Sequence, residues 1–239
     1  MPGFVVLLSA GLDSAVNLKA ALDRGPVRAA LTFDYGQRAG RRETEYARSM
    51  CRRFGVAHEI VPLKWLGAIT RTALVNEARA VPEPKPDALD DREAARRSAD
   101  RVWVPNRNGV FLAVAAAYAE SLGAETVVPG FNAEEAAAFP DNSADFVAAT
   151  NRGLRFSTRG RVRIKCFTAR KRKAAIVRLG LRIGAPLDLV WPCYRAGRRL
   201  CGRCESCARF LRAVADARAT DWFARNHPGM PARRKRSHG

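Results

Sequence analysis

Four cysteines near the end of the chain have the types and spacing of a metal site. Cys193, Cys201, Cys204 and Cys207 place four thiols within fifteen residues, and Gly202 lets the backbone turn tightly between them. Four soft ligands at this spacing suit a structural, tetrahedral Zn²⁺ ion. An iron–sulfur cluster is the alternative, because C-x2-C-x2-C also occurs in ferredoxins. We expect zinc, since the chain is not otherwise redox-like.

Other residues bear on the chemistry of these thiols. Arg198, Arg199 and Arg203 lie among the four cysteines, and we expect them to lower the pKa of the thiols and to offset their charge. The two remaining cysteines, Cys51 and Cys166, fall in a helical and a strand pattern. We expect both to be packed residues rather than ligands.

A loop near the start of the chain carries the second set of residues whose types and spacing could support binding or catalysis. The sequence SAGLDS (9–14) joins the first predicted strand to the first predicted helix. The free N–H groups and the dipole of a helix N-terminus favour phosphate at that position. Gly11 allows the backbone to approach an anion closely, and Ser9 and Ser14 can add hydroxyl donors. The loop is not a Walker A motif, because GxxxxGK[ST] does not occur there.

The loop resembles the pyrophosphate loop of the ATP pyrophosphatase (PP-loop) superfamily, which usually reads SGGxDS. Enzymes of that superfamily typically cleave ATP to AMP and pyrophosphate in order to adenylate a carbonyl oxygen. Ala10 departs from the pattern, which has glycine at this position. If the position needs a positive φ, alanine costs about 1 kcal/mol, and if φ is negative it costs nothing.

Polar residues after other predicted strands are expected at the same edge of the sheet. Asp34 and Gln37 follow the second strand, although Asp34 taken alone is better explained as a turn residue. Asn132 and Asp141 follow the fourth strand. Groups at the carboxyl ends of parallel strands can meet a nucleotide or an acyl substrate.

The segment VPNRN (104–108) precedes an alanine-rich helical pattern. Asn106 or Asn108 fits the N-cap of that helix, which is a purely structural role. Arg107 beside the helix start is a candidate anion ligand.

These residues need an alternating arrangement of strands and helices to bring them together. The predicted strands are Phe4–Leu8, Arg28–Phe33, Ala57–Pro62 and Thr126–Val128. The predicted helices are Ser14–Leu22, Arg41–Phe54 and Asn108–Leu122. This β-α-β-α order predicts an α/β fold with a doubly wound, mainly parallel sheet.

The domain plan follows from composition and from the position of the cysteines. We expect a nucleotide-binding α/β domain over residues 1–155, a basic zinc-binding region over 156–222 and a disordered basic tail over 223–239. The basic region contains a predicted strand, Val162–Phe167, and a predicted helix, Arg170–Leu179. Residues 77–101 are predicted to be a surface insertion, either a mobile flap beside the site or an inert loop with a short solvated helix.

Charge is concentrated in one part of the chain. The 239 residues carry a net charge of +19 and are 47% hydrophobic, which excludes a disordered or fibrous chain. Residues 1–150 carry −1, residues 151–218 carry +16 and the rest +4. A solvated, arginine-rich face explains this segment as well as a surface for an anionic partner. Nucleic-acid binding through residues 152–218 is therefore open but not favoured.

Membrane insertion and secretion are not expected. No apolar run approaches the ~20 residues of a membrane helix, and the N-terminus lacks the charged region of a signal peptide. We therefore expect a cytoplasmic protein whose cysteines are thiols or metal ligands rather than disulfides. The oligomeric state stays open, with a homodimer as the commonest arrangement.

Several motifs together are similar to the 7-cyano-7-deazaguanine synthase family of the queuosine pathway, from the phosphate loop to about Ala217. They are LLSAGLDS (7–14), FDYGQR (33–38), VPNRN (104–108), GFNAEE (130–135), FPDN (139–142), WPCY (191–194) and CGRCESC (201–207). Two departures exist. The chain has Pro192 where the family usually has serine, and it reads ARKRKAAI (169–176) where the family usually shows a less basic, TKAEI-like stretch.

The resemblance implies a ligase that uses ATP and Mg²⁺ to convert 7-carboxy-7-deazaguanine and ammonia to the 7-nitrile, with a structural Zn²⁺. It implies Ser9, Asp13 and Arg107 as catalytic candidates and Arg107, Asn132 and Asp141 as substrate-binding candidates. The implied ATP-binding residues are Leu8, Ser9, Ala10, Gly11, Leu12, Asp13, Ser14, Asp34 and Gln37. The implied metal ligands are Cys193, Cys201, Cys204 and Cys207.

Two other functions are considered. The +16 segment motivates one alternative, a PP-loop enzyme that modifies a base within tRNA or DNA, and salt-sensitive nucleic-acid binding would support it. Ala10 and ARKRKAAI favour a catalytically weakened nucleotide-binding protein, which substrate-dependent ATP turnover would eliminate.

Overall fold

The computed structural model describes residues 3–159 and 162–229. The strands are β1 Gly3–Leu7, β2 Val27–Asp34, β3 His58–Pro62, β4 Ala124–Val128 and β5 Arg163–Ile164. The α-helices are α1 Leu12–Leu22, α2 Gly40–Phe54, α3 Lys64–Ala68, α4 Arg92–Val102, α5 Arg107–Ser121, α6 Ala144–Ser157, α7 Lys173–Ile183, α8 Glu205–Asp216 and α9 Thr220–Asn226. Short 3₁₀ helices cover Pro86–Leu89, Glu135–Ala137, Pro140–Asn142 and Leu187–Leu189.

The five strands form one parallel sheet in the order β3-β2-β1-β4-β5. The central strand β1 is buried along its whole length, because helices cover both faces of the sheet. Val6 and Leu8 pack with Val16 of α1 and Ile176 of α7 on one face. On the other face, β1 belongs to a second apolar cluster built with α5 and α6. The predicted doubly wound α/β fold is confirmed.

The strand order creates a crevice beside β1, where successive strands switch from one side of the sheet to the other. β2 and β3 extend from one side of β1, whereas β4 and β5 extend from the other. In such sheets ligands bind beyond the carboxyl ends of the strands at this point. The loops after β1 and β4 meet there, since a Cβ on Gly130 would come within 2.9 Å of the backbone nitrogen of Ser14.

Among the strands, the prediction and the structure differ most at Val162–Phe167, because β5 covers only Arg163–Ile164. The side chain of Asn17 in α1 diverts the backbone after β5 by accepting a hydrogen bond from the Phe167 N–H at 2.8 Å. The Thr168 hydroxyl then donates to the Phe131 carbonyl oxygen at 2.6 Å. The helix predicted from Arg170 begins three residues later, at Lys173.

The cysteine region shares its apolar core with the nucleotide-binding half of the chain. Trp191, Phe210 and Phe223 are buried in the same cluster as β1 and α1. The tail predicted from residue 223 is thus packed at its start, and His227 is buried with Nε2 at 2.6 Å from the Val190 carbonyl oxygen. Residues 230–239, with the rest of the predicted tail, lie outside the described residues.

The segment predicted as a surface insertion, 77–101, is largely exposed but packs against the rest of the protein at a few positions. Val81, Leu89 and Ala99 are buried, and α4 fills most of its second half. The backbone N–H of Glu205 donates to the Pro82 carbonyl oxygen at 2.9 Å. The apolar residues that pack are separated by prolines and charged residues, so they form no periodic pattern that would predict packing from the sequence. Within the described ranges, no helix has both the length and the apolar character needed to span a bilayer.

Candidate active site

The loop after β1 has the geometry of a phosphate cradle. Gly11 caps α1 in an extended conformation, so the first N–H groups of an eleven-residue helix face the crevice. The Ser14 hydroxyl donates to the Gly11 carbonyl oxygen at 3.0 Å. The hydroxyl oxygens of Ser9 and Ser14 lie 3.5 Å apart, and Ser9 is exposed. Ser14 is buried, but both residues line the cavity over the loop, where an anion would bind.

Ala10 lies in the left-handed region, with φ at +57°. The positive φ is the condition under which alanine costs about 1 kcal/mol relative to glycine. Its side chain is fully buried, and its carbonyl oxygen accepts a hydrogen bond from the Trp191 N–H at 2.7 Å. The loop keeps its shape despite alanine because it is held from the cysteine-bearing side of the molecule.

A buried charged cluster supports the loop from behind. The Lys173 ammonium lies 3.2 Å from Asp13 Oδ2 and 2.7 Å from Glu135 Oε1. Asn132 donates from Nδ2 to the same Asp13 oxygen at 3.1 Å. Among the described residues, the buried Oδ1 of Asp13 has no hydrogen-bond partner. The cluster thus holds one carboxylate oxygen firmly and leaves the other available to a ligand.

The charges in this cluster depend on one another. Burial alone would disfavour the ammonium, but the carboxylates of Asp13 and Glu135 raise the pKa of Lys173 above its ordinary value. Burial likewise opposes ionisation of Glu135, yet the Lys173 charge lowers the pKa of that carboxyl. Burial raises the pKa of Asp13 against the attraction of Lys173. Lys173 thus pairs with two acids, of which Asp13 is buried and Glu135 is partly exposed.

A cavity of about 230 Å³ lies over the loop and this cluster. Its lining contains most of the predicted ATP-binding residues together with Arg107: Leu8, Ser9, Gly11, Leu12, Asp13, Ser14, Gln37 and Arg107. Ala10 belongs to the same loop but is not among the lining residues, because its side chain is fully buried. Four further polar residues that the sequence argument did not identify also line the cavity: Glu43, Glu135, Lys173 and Tyr194.

Arg107 and Gln37 are held in place by residues around the second strand. The Arg107 guanidinium donates to the Tyr35 hydroxyl, whose pKa is raised by burial. Gln37 accepts from the Tyr35 N–H at 3.0 Å and donates from Nε2 to Glu43 at 2.8 Å. Burial raises the pKa of Glu43. A cation and a hydrogen-bonding carboxyl group thus face the cavity opposite the loop.

Besides Ala10, three of the predicted ATP-binding and substrate-binding residues are not among the described residues that line this cavity. Asp34 is the last residue of β2, and it accepts hydrogen bonds from Lys64 at 2.8 Å and from the Gly36 N–H at 3.1 Å. The hydrogen bond from Lys64 lowers its pKa. Asn132 is fully buried and contacts Asp13 from behind. Burial raises the pKa of Asp141, although the nearby Arg107 charge opposes that effect.

Lys173 is the principal residue that the sequence argument missed. It is 160 residues from Asp13 in the chain, and its motif was interpreted only as a basic departure from a family pattern. The signal that could have found it is the lysine retained in RKAAI (172–176), directly before an apolar helical pattern. Glu135 lies within GFNAEE (130–135), a motif that was recognised without assigning this residue a role.

A second recess of about 140 Å³ adjoins the cavity. Arg107, Lys173 and Tyr194 line both spaces, so they form the boundary between them. The far side of the recess is formed by the start of α8, including Glu205 and Arg209. Two adjoining spaces with cations at their boundary suit two ligands that react with each other.

The four predicted metal ligands converge. The sulfur atoms of Cys193, Cys201, Cys204 and Cys207 all lie within 4.8 Å of one another. The Cys204 N–H donates to the Cys201 sulfur at 3.3 Å, and hydrogen bonds from two neighbouring thiols lower the pKa of Cys193. This set has the donor chemistry and the spacing of a closed tetrahedral metal site.

The three arginines near the cysteines are not the groups that act on the pKa of the Cys193 thiol. Arg198, Arg199 and Arg203 are exposed, and Arg203 pairs with Glu83 at 3.3 Å. The groups acting on Cys193 are instead neighbouring thiols and backbone N–H groups. Cys51 is buried, as expected for a packed residue, and burial raises the pKa of its thiol to about 12.

Sequence comparisons agree with this arrangement. The family model for queuosine biosynthesis protein QueC matches residues 3–218. A relative from Pelotomaculum thermopropionicum, named 7-cyano-7-deazaguanine synthase, is 49% identical over 213 residues, or 89% of this chain and 96% of that protein. A relative of the same name from Bdellovibrio bacteriovorus is 48% identical over 89% of this chain and 93% of its own length.

Solved structures offer only a remote likeness. NMN synthetase from Francisella tularensis matches 98% of this chain and 89% of its own chain, with a TM-score of 0.45 and 16% identity, which is too distant to indicate function. The family match, in contrast, covers nearly all of the described residues, including the phosphate loop, the Lys173 cluster and the four cysteines. The chain belongs to the queuosine biosynthesis protein QueC family.

Proposed function

We propose that this chain is an ATP-dependent carbon–nitrogen ligase that converts 7-carboxy-7-deazaguanine and ammonia to 7-cyano-7-deazaguanine. Relatives that match nearly the whole chain are named as that synthase. The observation that carries the proposal is the boundary between the two recesses. There, Arg107 and Lys173 face both the cavity over the phosphate loop and the recess beyond it.

ATP binds in the larger cavity. The loop SAGLDS (9–14) supplies helix N–H groups and the hydroxyls of Ser9 and Ser14 to the pyrophosphate. The stacked rings of Phe33 and Phe111, whose centroids are 4.0 Å apart, give the cavity an apolar wall for the adenine. Gln37 fixes the turn after β2 rather than contacting the phosphates.

The residues around Asp13 fit a magnesium ion. Mg²⁺ prefers oxygen ligands and binds through one or two carboxylates plus substrate phosphates. Asp13 Oδ1 is buried without a hydrogen-bond partner in the described part of the chain, and Glu135 lies on the other side of Lys173. Asp13 would hold the ion through Oδ1, and the charge of the ion would neutralise the pyrophosphate when bound.

The chemistry requires two activations. A carboxylate is a poor electrophile, so its oxygen attacks the α-phosphorus of ATP, pyrophosphate leaves and an acyl adenylate forms. Ammonia displaces AMP to give the amide and releases a proton. The amide oxygen then attacks the α-phosphorus of a second ATP, so that pyrophosphate leaves and the amide nitrogen loses one proton. Departure of AMP with loss of the remaining N–H proton leaves the nitrile. Lys173 and Arg107 stabilise negative charge on the transferring phosphate in a site shielded from water.

Zinc is the proposed occupant of the cysteine cluster. Four thiols within 4.8 Å of one another fit its tetrahedral geometry, and a closed site of four protein ligands is structural. The cluster borders the active site, because Trp191 connects to Ala10 and α8 reaches the second recess. Zinc would therefore hold the wall of the substrate recess in place.

The remaining expectations about partners stay predictions. Ammonia as co-substrate, a homodimer and a cytoplasmic location are consistent with the proposed enzyme. Nucleic acid is not needed for this reaction. The domain limits at 155 and 222 also stay predictions, and the shared core argues that the two parts fold together.

Purified protein incubated with 7-carboxy-7-deazaguanine, ammonium and MgATP should form the nitrile, detected by mass spectrometry. Omitting ammonium should stop turnover before the amide. An absence of product under conditions where a known synthase works would reject the proposal. Salt-sensitive tRNA binding without nitrile formation would instead favour the base-modifying alternative.

A further inference from the structure

The wall of the second recess that faces away from the phosphate loop carries an ion pair. Glu205 and Arg209, one turn apart on α8, both line the recess. The exposed fractions of their side chains are only 10% and 16%. Leu74, Val102 and Phe139 line the same recess and supply its apolar surface. A flat, mainly apolar ligand with one polar edge matches such a space.

The hydrogen bonds of Glu205 leave it able to accept one more. Its Oε1 accepts from Arg209 Nε at 2.9 Å and lies 2.8 Å from Arg209 Nη2. Its Oε2 accepts from the Ser98 hydroxyl. A carboxylate oxygen can accept two hydrogen bonds, so Oε2 keeps one free position. Arg209 likewise has N–H groups beyond the two that face Oε1.

We propose that the Glu205–Arg209 pair recognises the lactam edge of the substrate heterocycle. A guanine-type lactam places an N–H donor next to a carbonyl acceptor, and the pair places a carboxylate acceptor next to a guanidinium donor. The edge of adenine has the opposite order at N1 and the 6-amino group, so the pair also keeps ATP's base out of this recess. This inference rests on the proposed function and deepens it.

The orientation that follows is consistent with the reaction. With its lactam edge at α8, the bicyclic ring lies along the apolar surface of the recess, and the carboxylate on the five-membered ring points toward Lys173 and Arg107. Those cations lie at the boundary with the cavity over the phosphate loop. Ser98 acts as a positioning residue, because it fixes Glu205 from α4 without lining the recess.

The direct test is calorimetric binding of two ligands in the presence of a non-hydrolysable ATP analogue. One ligand is 7-carboxy-7-deazaguanine, and the other is its 2,6-diamino counterpart, which replaces the lactam oxygen by an amino group and removes the N1 proton. The wild-type protein should prefer the lactam by about 100-fold or more in Kd. Glu205→Gln should reduce that preference to below about 10-fold, because a rotated amide can satisfy either edge.

Three comparisons make the result decisive. Ser98→Ala should lower the preference by a smaller factor, which keeps the inference testable if Glu205→Gln does not fold. Glu83→Gln is the matched control, because it loses ion pairs to Arg195 and Arg203 and should keep the wild-type preference. Zinc content and ATP affinity should stay constant in all three variants.

An unchanged preference in folded Glu205→Gln, or equal binding of the two ligands by the wild type, would overturn the inference. Failure of the proposed function would appear differently, as lactam binding without nitrile formation.

Discussion

At the scale of single residues, the central finding is that Lys173 connects the phosphate loop to a second acid. Its ammonium lies between Asp13 and Glu135, and all three line one cavity. The sequence allowed the loop residues to be predicted because they are consecutive. Lys173 and Glu135 could not be found in that way, since contacts between distant parts of the chain follow from packing and not from local pattern.

Replacing Lys173 by methionine tests this cluster. We expect nitrile formation to fall by at least about 100-fold, because a preorganised charge at the transferring phosphate is lost. Lys171→Met is the control, since Lys171 is outside the cluster, and its rate should stay within about twofold of wild type. Equal rates for Lys173→Met and wild type would contradict the assignment.

The same variant has a predicted pH dependence. Without the ammonium, the pKa values of Asp13 and Glu135 should rise, because burial is then opposed only by weaker interactions such as the Asn132 hydrogen bonds. A raised pKa in the folded state gives stability that is present at low pH and lost as pH rises. The deficit of Lys173→Met relative to wild type, measured by urea unfolding, should therefore be larger at neutral pH than in mild acid. A deficit independent of pH would contradict this argument.

Gly130 provides a test of the contact between the loops after β1 and β4. A Cβ at this position would lie 2.9 Å from the Ser14 nitrogen and 3.1 Å from its Cα, and backbone atoms cannot move aside cheaply. Gly130→Ala should raise the KM for ATP about 10-fold or more, because the first turn of α1 must shift.

Gly153→Ala is the matched control for Gly130→Ala. Gly153 lies exposed in α6, and an added Cβ would meet open space among the described residues. Its replacement should leave the KM unchanged and add up to about 1 kcal/mol of stability through helix propensity. Similar KM values for both variants would show that the two loops do not constrain each other.

At the scale of elements, the alternation of apolar runs and amphipathic segments predicted the sheet well. β1 to β4 are found within two residues of their expected limits, and the apolar run of β1 is continuous because that strand is buried on both faces. The basic segment after residue 158 was predicted less well. There, the Asn17 side chain replaces ladder hydrogen bonds, and no local pattern reveals a side chain from another helix.

The junction between α2 and the Leu187–Leu189 turn is held by a bidentate ion pair. Arg53 donates to both oxygens of Asp188 at 2.6 Å, and these hydrogen bonds lower the pKa of Asp188. A lowered pKa gives stability that is present above the ordinary value of 3.8 and lost as pH falls through the folded-state value.

Asp188→Asn should therefore lower the free energy of unfolding by about 1 kcal/mol at neutral pH. The difference from wild type should disappear in strong acid, which urea titrations at several pH values would reveal. Asp23→Asn, which removes a helical pair with Lys19, should cost less than about 0.5 kcal/mol. A deficit for Asp188→Asn that persists below the folded-state pKa would contradict the ion-pair explanation.

At the scale of the whole molecule, the active site and the cysteine cluster are parts of one structure. Core residues from β1, α7, α8 and α9 belong to a single apolar cluster. Much of the positive charge near the cysteines is matched by acids of segment 77–101, where Glu83 pairs with Arg195 and Asp90 with Arg212. The segment that composition marked as a surface insertion thus supplies counter-charge to the basic region.

Metal analysis should find about one zinc ion per chain, and a strong chelator should unfold the protein. Cys204→Ser should lose zinc and lower the Tm, because it removes a fully buried ligand. Cys51→Ala is the control and should keep its zinc, since Cys51 lies in α2 away from the cluster. A brown, iron-containing preparation would contradict the zinc assignment.

The most direct measurement of the central claim follows the oxygen atoms of the substrate. The protein would be given 7-carboxy-7-deazaguanine labelled with ¹⁸O in both carboxylate oxygens, together with ammonium and MgATP. We predict that nitrile forms and that both labels appear in AMP, with two AMP molecules for each nitrile. Absence of nitrile, or AMP without label, would contradict adenylation at this site.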